Sequence, residues 1–357
     1  MRIGIVGGPN SGKTTIFNAL TRSATAATAY SSGQLEVHTA VVDVPDPRLS
    51  FLAQMFAPRK AVYAQVTYND IAGLTGGIGK EGQIRGPLLN AIAVNDALLL
   101  VARAFRDPNV PRPNDSVDPG ADFAAMETEF LLNDMVTIEG RLERIAAQRS
   151  RGPVEERQRL AHEEALLTRL YPLLEEGAPL KEATLSADEK KLLGGFGFLS
   201  LKPVLRVVNA GDEDEEDMFS HCLNEGTFFL RGRLEAEIAL MTPEEAAEFL
   251  VGFGIEEQGL NRAIRRCYQL LGLISFFTIG DNEVRSWAVG AGSTAPEAAG
   301  IVHTDMQRGF IRAETVHFNS LKDAGSMAAA RNQGLLRLEG KEYLVQDGDI
   351  LNFRFNV

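Results

Sequence analysis

Cysteine, positive charge and long apolar runs are all scarce in this sequence of 357 residues. The two cysteines, Cys222 and Cys267, lie far apart and lack the spacing of metal ligands, which argues against a disulfide framework and a zinc site. No apolar run approaches the length of a membrane span and no signal peptide precedes the first strand, so we expect no membrane partner and a cytoplasmic location. The formal net charge of −12 argues against a surface dominated by contacts with nucleic-acid phosphates, although local basic clusters could still touch RNA.

The N-terminal segment contains a pattern typical of phosphate-binding loops. A short β-branched run ends at Val6, the pattern G-x-x-x-x-G-K-T spans Gly7–Thr14, and an apolar, helix-like segment follows. In such a unit the loop N–H groups surround phosphates and the helix N-terminus adds its positive end, whereas the structural alternative is a glycine-rich turn. Lys13 is expected to reach the β- and γ-phosphates and serve catalysis, and the Thr14 hydroxyl to bind Mg²⁺. The predicted nucleotide-binding residues of this segment are Asn10, Ser11, Gly12, Lys13, Thr14 and Thr15.

A second motif, D-x-x-G, spans Asp70–Gly73 at the end of a strand predicted over 65–69. Asp70 is expected to hold Mg²⁺ through water and the Gly73 N–H to contact the γ-phosphate, which makes Gly73 a candidate catalytic residue. An aspartate that caps a helix or turn is the alternative. In GTPases that orient the attacking water with a glutamine, that glutamine follows this glycine. Leu74 stands there and cannot hydrogen-bond to water, so hydrolysis by that route is excluded.

A candidate base-reading segment, Asn209–Asp212, closes a strand predicted over 203–209. Guanine-specific proteins carry N-K-x-D at this point, and the aspartate accepts the guanine N1 and N2 protons. Asn209 and Asp212 are therefore predicted to bind the nucleotide. Ala210 occupies the position of the lysine, so the preference between guanine and adenine stays open. A turn that merely closes the strand is the alternative.

The order of predicted elements indicates an α/β fold in four segments. Residues 1–122 alternate strands and helices, and the apolar run at 97–101 is typical of a buried parallel strand. Over 123–198 the pattern changes to long, charge-laced helices broken at Gly152-Pro153, which predicts an inserted helical hairpin. The α/β pattern returns over 199–273 and completes the nucleotide-binding domain. Residues 274–357 are rich in strands and turns and predict a small α+β module.

These motifs together resemble the YchF-type members of the Obg-related P-loop NTPases, over nearly the whole chain. The matching stretches include Val44–Leu49, Asp70–Leu74 and, in the C-terminal part, 283–287, 294–300, 303–305, 309–313, 347–349 and 352–357. The resemblance implies a P-loop NTPase G domain, an inserted α-helical coiled-coil hairpin and a C-terminal, ubiquitin-like TGS domain. It also implies binding and slow hydrolysis of ATP, often in preference to GTP, with Mg²⁺ as cofactor, and association with ribosomes or RNA.

Several positions depart from the pattern of that family. Gln34 replaces a threonine that can bind Mg²⁺, and Gly33 stands where some members have a redox-sensitive cysteine. Arg112 stands where a histidine is proposed for catalysis; arginine cannot act as a base, although it could stabilise charge on a phosphoryl group. The family's N-x-x-E base motif ends in Asp212 here, and a Ser-Ala loop that contacts the base is replaced around 230–232. The chain is identified as a divergent member of the family.

Two main classes of function follow from these residues. The first is an enzyme, a slow Mg²⁺-dependent ATPase or GTPase whose nucleotide state sets its affinity for ribosomes or ribosome-associated factors. The second is a nucleotide sensor or adaptor that barely hydrolyses, which Gln34 and Arg112 favour. A third version, a GTP-specific switch that binds RNA first, would use arginines such as Arg262, Arg265 and Arg266, which more often form surface ion pairs. The expected partners are ATP or GTP and the ribosome or ribosomal RNA, and we expect a monomer.

Overall fold

The structure is a computed structural model that describes residues 1–22, 37–71, 86–110, 117–148, 153–224, 226–252, 255, 257–280 and 282–356. The chain forms two compact units, one of residues 1–40 and 67–260 and the other of residues 41–66 and 261–357. Among the described residues no helix is long and apolar enough to cross a membrane. The alternation of strands and helices confirms the predicted α/β fold class.

The secondary structure consists of two sheets and a set of mostly short helices. The strands are β1 (Arg2–Gly7), β2 (Val37–Asp43), β3 (Lys60–Val62), β4 (Gln65–Ile71), β5 (Ala97–Arg103), β6 (Val204–Asn209), β7 (Thr227–Leu230), β8 (Leu273–Ile279), β9 (Glu283–Gly290), β10 (Phe310–His317), β11 (Arg337–Glu339) and β12 (Asp349–Phe355). The α-helices are α1 (Lys13–Thr21), α2 (Pro47–Phe56), α3 (Pro87–Ala93), α4 (Pro119–Gln148), α5 (Val154–Glu175), α6 (Ala187–Leu193), α7 (Gly232–Ala239), α8 (Pro243–Gly252), α9 (Gly259–Leu270), α10 (Ala295–Val302), α11 (Thr304–Arg308), α12 (Phe318–Ala324) and α13 (Met327–Asn332). Short 3-10 turns lie at Leu180–Glu182 and Glu216–Phe219.

The first sheet has the strand order β2-β4-β1-β5-β6-β7. Strand β1 pairs in parallel with β4 and β5, and β6 pairs in parallel with β5 and β7. Strand β5 is buried along its whole length, as its run of Leu and Val residues predicts for a strand covered on both faces. Because the carboxyl ends of parallel strands meet at one edge of a sheet, the last residues of β1, β4, β5 and β6 lie close together there.

The helical insertion consists of α4 and α5, which pack against each other. Their apolar faces meet in a core that includes Ile138, Ile145, Leu160 and Leu167. Its second helix begins immediately after the break predicted at Gly152-Pro153, with Pro153 at the N-cap; Gly152 lies outside the described residues. The pair of long helices is therefore confirmed, and the term coiled coil stays a prediction.

The base of this insertion is fastened by a buried carboxylate. Asp134 in α4 is fully buried and accepts hydrogen bonds from the backbone N–H groups of Leu199 and Ser200 at 2.9 and 2.8 Å. The hydroxyl of Ser200 donates a third bond at 2.6 Å. Three donors compensate much of the cost of burying this group, and they fix α4 to the segment that leads into β6.

The second sheet has the order β11-β10-β12-β8-β9-β3 and belongs to the second unit. Strands β8 and β9 are antiparallel neighbours, as are β10 and β12, whereas β12 and β8 run parallel. Helix α10 packs on one hydrophobic core through Ala295, Ala298 and Ala299.

Residues 41–66 are placed differently from the sequence analysis, which gave them to the first part of the nucleotide-binding domain. The structure groups them with the C-terminal residues, because β3 pairs in parallel with β9 and because Leu49 and Leu52 of α2 pack in one core with Phe277 and Ile350. The signal for this arrangement is a contact between distant parts of the chain, so no local pattern indicates it. The other domain boundaries stay predictions.

Candidate nucleotide-binding site

The phosphate loop lies between β1 and α1 and depends on glycine at two positions. Gly12 has a φ of 89°, and a Cβ placed there would lie 2.1 Å from Nδ2 of Asn209. A Cβ on Gly7 would lie 2.4 Å from the carbonyl oxygen of Val101. Both sites therefore exclude any side chain, and the loop passes close to β5 and β6 for this reason.

Lys13 is folded back over its own loop. Its ammonium donates hydrogen bonds to the carbonyl oxygens of Gly7 at 3.0 Å and Gly8 at 2.8 Å. Burial lowers the pKa of Lys13 to about 8, and the negative charge of Asp70 counteracts part of this shift. The ammonium is thus held at the loop, beside the backbone N–H groups that such loops direct at phosphates.

Thr14 and Asp70 meet at the point where a metal ion is expected. The Thr14 hydroxyl donates to Oδ2 of Asp70 at 2.8 Å, across the pairing of β1 with β4. Asp70 is fully buried, and its other oxygen, Oδ1, has no hydrogen-bond partner. Burial therefore raises the pKa of Asp70, and the hydrogen bond from Thr14 offsets part of the rise.

These oxygen atoms fit a small, hard cation. Mg²⁺ prefers oxygen ligands and is usually held by one or two protein groups together with substrate phosphates and water. A carboxylate oxygen without a hydrogen-bond partner, beside a hydroxyl, matches that requirement. Among the described residues there is no group of three or more His, Cys, Asp or Glu side chains that could hold a metal. Thr14 and Asp70 are the candidate Mg²⁺ ligands because of their oxygen atoms.

The side chain of Asn209, which its motif predicts to read the base, is bonded to backbone groups at both ends of its amide. It is buried, its Nδ2 donates to the carbonyl oxygen of Ser11 at 2.9 Å, and its Oδ1 accepts from the N–H of Gly232 at 3.0 Å. The amide thus joins the phosphate loop to the N-terminus of α7. Gly232 must be glycine here, since a Cβ would lie 2.4 Å from Oδ1 of Asn209.

The loop after β6 is held in place by Asp214 and Arg231. The Asp214 carboxylate accepts from the N–H of Gly211 at 2.6 Å, and the Arg231 guanidinium donates to the Asp214 carbonyl oxygen at 2.9 and 3.1 Å. Arg231 also lies over the ring of Phe229, 5.6 Å from its centroid. Asp212 is thereby presented on a closed loop, with its side chain about one-third exposed.

Phe105 is a candidate site residue that the sequence analysis did not identify. A Cβ added to Gly12 would lie 3.6 Å from an atom of this side chain, and a Cβ added to Gly211 would lie 3.8 Å from another, so Phe105 borders both loops. The buried Arg103 holds it there by lying over its ring at 4.5 Å and donating to its carbonyl oxygen at 3.2 Å. The only sequence signal was an aromatic residue two positions after a buried strand.

A chain of buried amides also supports the strand that carries Asp70. Thr39 donates to Oδ1 of Asn69 at 2.8 Å, and Asn69 donates to Oδ1 of Asn95 at 2.7 Å. Asn95 in turn donates to the carbonyl oxygen of Ala91 at 2.7 Å, near the end of α3. This chain of hydrogen bonds links β2, β4 and α3, and Asn69 directly precedes Asp70 in β4.

Some predicted site residues lie outside the described residues. These are Gly73, Leu74 and Arg112, together with Gly33 and Gln34. Their proposed roles therefore stay predictions. The remaining predicted residues, from the phosphate loop, β4 and the end of β6, are brought together at one edge of the first sheet.

A sheet whose strands β4, β1, β5, β6 and β7 run parallel, with a phosphate loop after β1, has the architecture of a P-loop nucleotide-binding protein. The hydroxyl of Thr14, at the start of α1, bonded to a carboxylate on the strand beside β1, completes that pattern. A family model described as a 50S ribosome-binding GTPase matches residues 2–134, and the YchF GTPase C-terminal model, described as a protein of unknown function, matches residues 273–356. The chain belongs to the YchF family, as the resemblance of its motifs predicted.

The relatives cover the chain from end to end. The ribosome-binding ATPase YchF of Bacillus subtilis (strain 168) is 37% identical over 368 residues, which is 99% of this chain and 99% of the relative. The protein of the same name from Escherichia coli O157:H7 is 37% identical over 364 residues, covering 100% of this chain and 99% of the relative. The solved YchF GTPase of Schizosaccharomyces pombe matches with a TM-score of 0.85 at 31% identity, over 99% of this chain and 97% of that one.

Proposed function

We propose that this chain is a cytoplasmic, Mg²⁺-dependent purine-nucleotide switch that hydrolyses ATP, or GTP, slowly and associates with ribosomes in a nucleotide-dependent manner. The observation that carries the nucleotide and metal part is the hydrogen bond between Thr14 and Asp70, because it leaves a buried carboxylate oxygen for a cation. The ribosome part is supported by the relatives, which are named ribosome-binding ATPases.

Each residue of the loop has a defined task in this proposal. Thr14 and Asp70 hold Mg²⁺, which supplies positive charge to the phosphate oxygens. Lys13 leaves the carbonyl oxygens of Gly7 and Gly8 and pairs with the β- and γ-phosphates, where its charge stabilises the transferred phosphoryl group. The backbone N–H groups of residues 10–15 surround the phosphates, and Asn209 keeps that loop in position. Phe105 offers its ring as one wall for the base.

Turnover is expected to be slow. Leu74 has no group that can align a water molecule. Gln34 stands in place of a threonine that can bind Mg²⁺, and Arg112 stands in place of a histidine and cannot act as a base. We expect a rate far below the median enzyme value of about 10 s⁻¹. The same residues favour a second candidate function, a nucleotide sensor or adaptor without significant hydrolysis. In both cases we propose that the helical insertion at 123–198 and a TGS domain at 274–357 form the contact surfaces of a monomeric protein.

The test compares the chain with its Lys13→Ala variant, using Lys190→Ala as a matched control on exposed α6. Titration calorimetry with non-hydrolysable ATP and GTP analogues in Mg²⁺ measures binding, and phosphate release measures turnover. We expect binding and any turnover to be lost in Lys13→Ala and kept in Lys190→Ala. Phosphate release that survives in Lys13→Ala would come from a contaminant and would favour the sensor. Absence of binding to both nucleotides would overturn the proposal.

Cosedimentation with ribosomes, with and without nucleotide, tests the proposed ribosome partner.

A further inference from the structure

Arg233 occupies a position among three carboxylates at the base end of the site. It lies in the first turn of α7, and its Nε is 3.5 Å from Oδ2 of Asp212 and 3.2 Å from Oε1 of Glu237. The negative charge of Asp107, in the loop after β5, acts on the same guanidinium. Arg233 therefore pairs with the loop that follows β6 and with its own helix α7, and it also feels the charge of the loop that follows β5.

Asp212 is the remaining side chain of the predicted base-reading pair that can still respond to the base. Both ends of the Asn209 amide are already bonded to the backbone of Ser11 and Gly232. The Asp212 side chain, in contrast, is partly exposed and its described ion pair is the long contact with Arg233. Whether this carboxylate is free to accept hydrogen bonds from a base thus depends on its contact with Arg233.

We propose that Arg233 is a specificity-determining residue, which weakens guanine recognition by pairing with the carboxylate of Asp212. This inference rests on the proposed function, since it concerns the base of the nucleotide bound there. Guanine offers N–H donors at N1 and N2, and a free carboxylate accepts both. Adenine presents a lone pair at N1, so an unpaired carboxylate beside it is unfavourable. Arg233 therefore shifts the balance from guanine towards adenine.

The size of the effect follows from the exposure of the pair. The Arg233 side chain is 77% exposed, and ion pairs in such surroundings change equilibria by about fivefold at most. We therefore expect the ratio of GTP to ATP affinity to change by roughly threefold to fivefold, with little effect on folding. A change of this size is readily measured as a ratio within one protein preparation.

The experiment measures dissociation constants for GTP and ATP analogues by competition against one fluorescent nucleotide, in the full chain. In Arg233→Ala we expect the ratio of GTP to ATP affinity to rise roughly threefold to fivefold. In Glu237→Gln, which removes the negative charge that competes with Asp212 for Arg233, we expect the ratio of GTP to ATP affinity to fall. Arg308→Ala, an exposed arginine in the second unit, is the matched control and should not change the ratio.

A double-mutant cycle with Asp212→Asn shows whether the effect passes through the carboxylate. In that background Arg233→Ala should no longer change the ratio. An unchanged ratio in Arg233→Ala alone, or an equal change with and without the Asp212 carboxylate, would overturn the inference while leaving the proposed function intact. Failure of the unmodified chain to bind either nucleotide would overturn the proposed function, and the inference with it.

Discussion

Arg48 and Asp347 are 299 residues apart in sequence and form a direct ion pair, with Nη1 of the arginine 2.7 Å from Oδ2 of the aspartate. Arg48 also donates from Nε to Oδ1 of Asp46, the N-cap of α2, at 2.9 Å. Asp347 accepts in addition from the N–H of Ser275 at 2.9 Å. The pair therefore fastens the segment 41–66 to the loop that precedes β12.

The second unit should lose stability in acid because of this pair. Burial on its own raises the pKa of Asp347, but the hydrogen bonds from Arg48 and Ser275 outweigh it and hold that pKa below its ordinary value of 3.8. A depressed pKa stabilises the folded state above the unfolded value, and this contribution disappears as pH falls through the folded value. In Asp347→Asn we expect a lower melting temperature at pH 7 and a smaller difference from the unmodified chain near pH 2.

Thermal unfolding followed by circular dichroism between pH 2 and 7 checks this expectation. The matched control is Asp323→Asn, an exposed aspartate in the same unit. It should melt with the unmodified chain throughout the pH range. A difference between Asp347→Asn and the unmodified chain that is equally large at both ends of the pH range would contradict the role assigned to the charge.

Alanine substitutions at different glycines of the phosphate loop should differ in their effect on nucleotide binding and stability. Gly12→Ala places a Cβ against Asn209 in a backbone conformation that disfavours alanine, and we expect lost nucleotide binding and about 1–3 kcal/mol less stability. Gly8→Ala is the matched control, because a Cβ there has no neighbour within 4 Å and the carbonyl that Lys13 contacts remains. Calorimetric titration and thermal melts of both variants provide the measurement. Equal losses in the two variants would refute the steric argument.

Removing the hydroxyl of Thr14 should affect the metal rather than the loop. In Thr14→Val the Asp70 carboxylate loses its donor, and we expect Mg²⁺-dependent nucleotide affinity to fall by roughly tenfold to a hundredfold. Affinity measured in excess chelator should change much less. Thr21→Val, at the other end of α1, is the control with the same change of side chain. If Thr14→Val weakened binding equally with and without Mg²⁺, the metal assignment would be wrong.

Asn209→Ala should weaken ATP and GTP binding by the same factor. The substitution leaves the Ser11 carbonyl and the Gly232 N–H without their partner, each at a cost of about 1–3 kcal/mol when buried. We therefore expect a lower melting temperature and an unchanged preference between the bases. The exposed Asn332→Ala is the control. A selective loss of GTP binding would instead show that the amide reads the base.

The phosphate loop, Asp70 and most of the first sheet could be predicted from the sequence because their signals are local. A strand, a glycine-rich loop and a helix follow one another within residues 2–21, and the apolar run at 97–101 lies inside the observed β5. The two long helices were likewise evident from charge and apolar spacing, and they are observed as α4 and α5.

The features that escaped prediction depend on contacts between distant parts of the chain. The pairing of β3 with β9 joins residues on either side of the whole helical insertion, and no local pattern encodes it. Asn209 was predicted to face the base from its motif, yet its two hydrogen bonds are decided by the approach of Ser11 and Gly232. Phe105 and Arg103 form a pair only because the loop after β5 turns back on itself.

The split composition of the second unit sets an order of assembly during synthesis. Residues 41–66 are translated early, but β9 and β12, which complete their sheet and core, are translated only after residues 67–260. Leu49 and Leu52 therefore lack their C-terminal core partners for as long as the helical insertion is being synthesised. The first unit, with its phosphate loop, has all of its residues once 260 has been added. The segment 41–66 therefore obtains its partner strand β9 and its core residues only when the last part of the chain has been made.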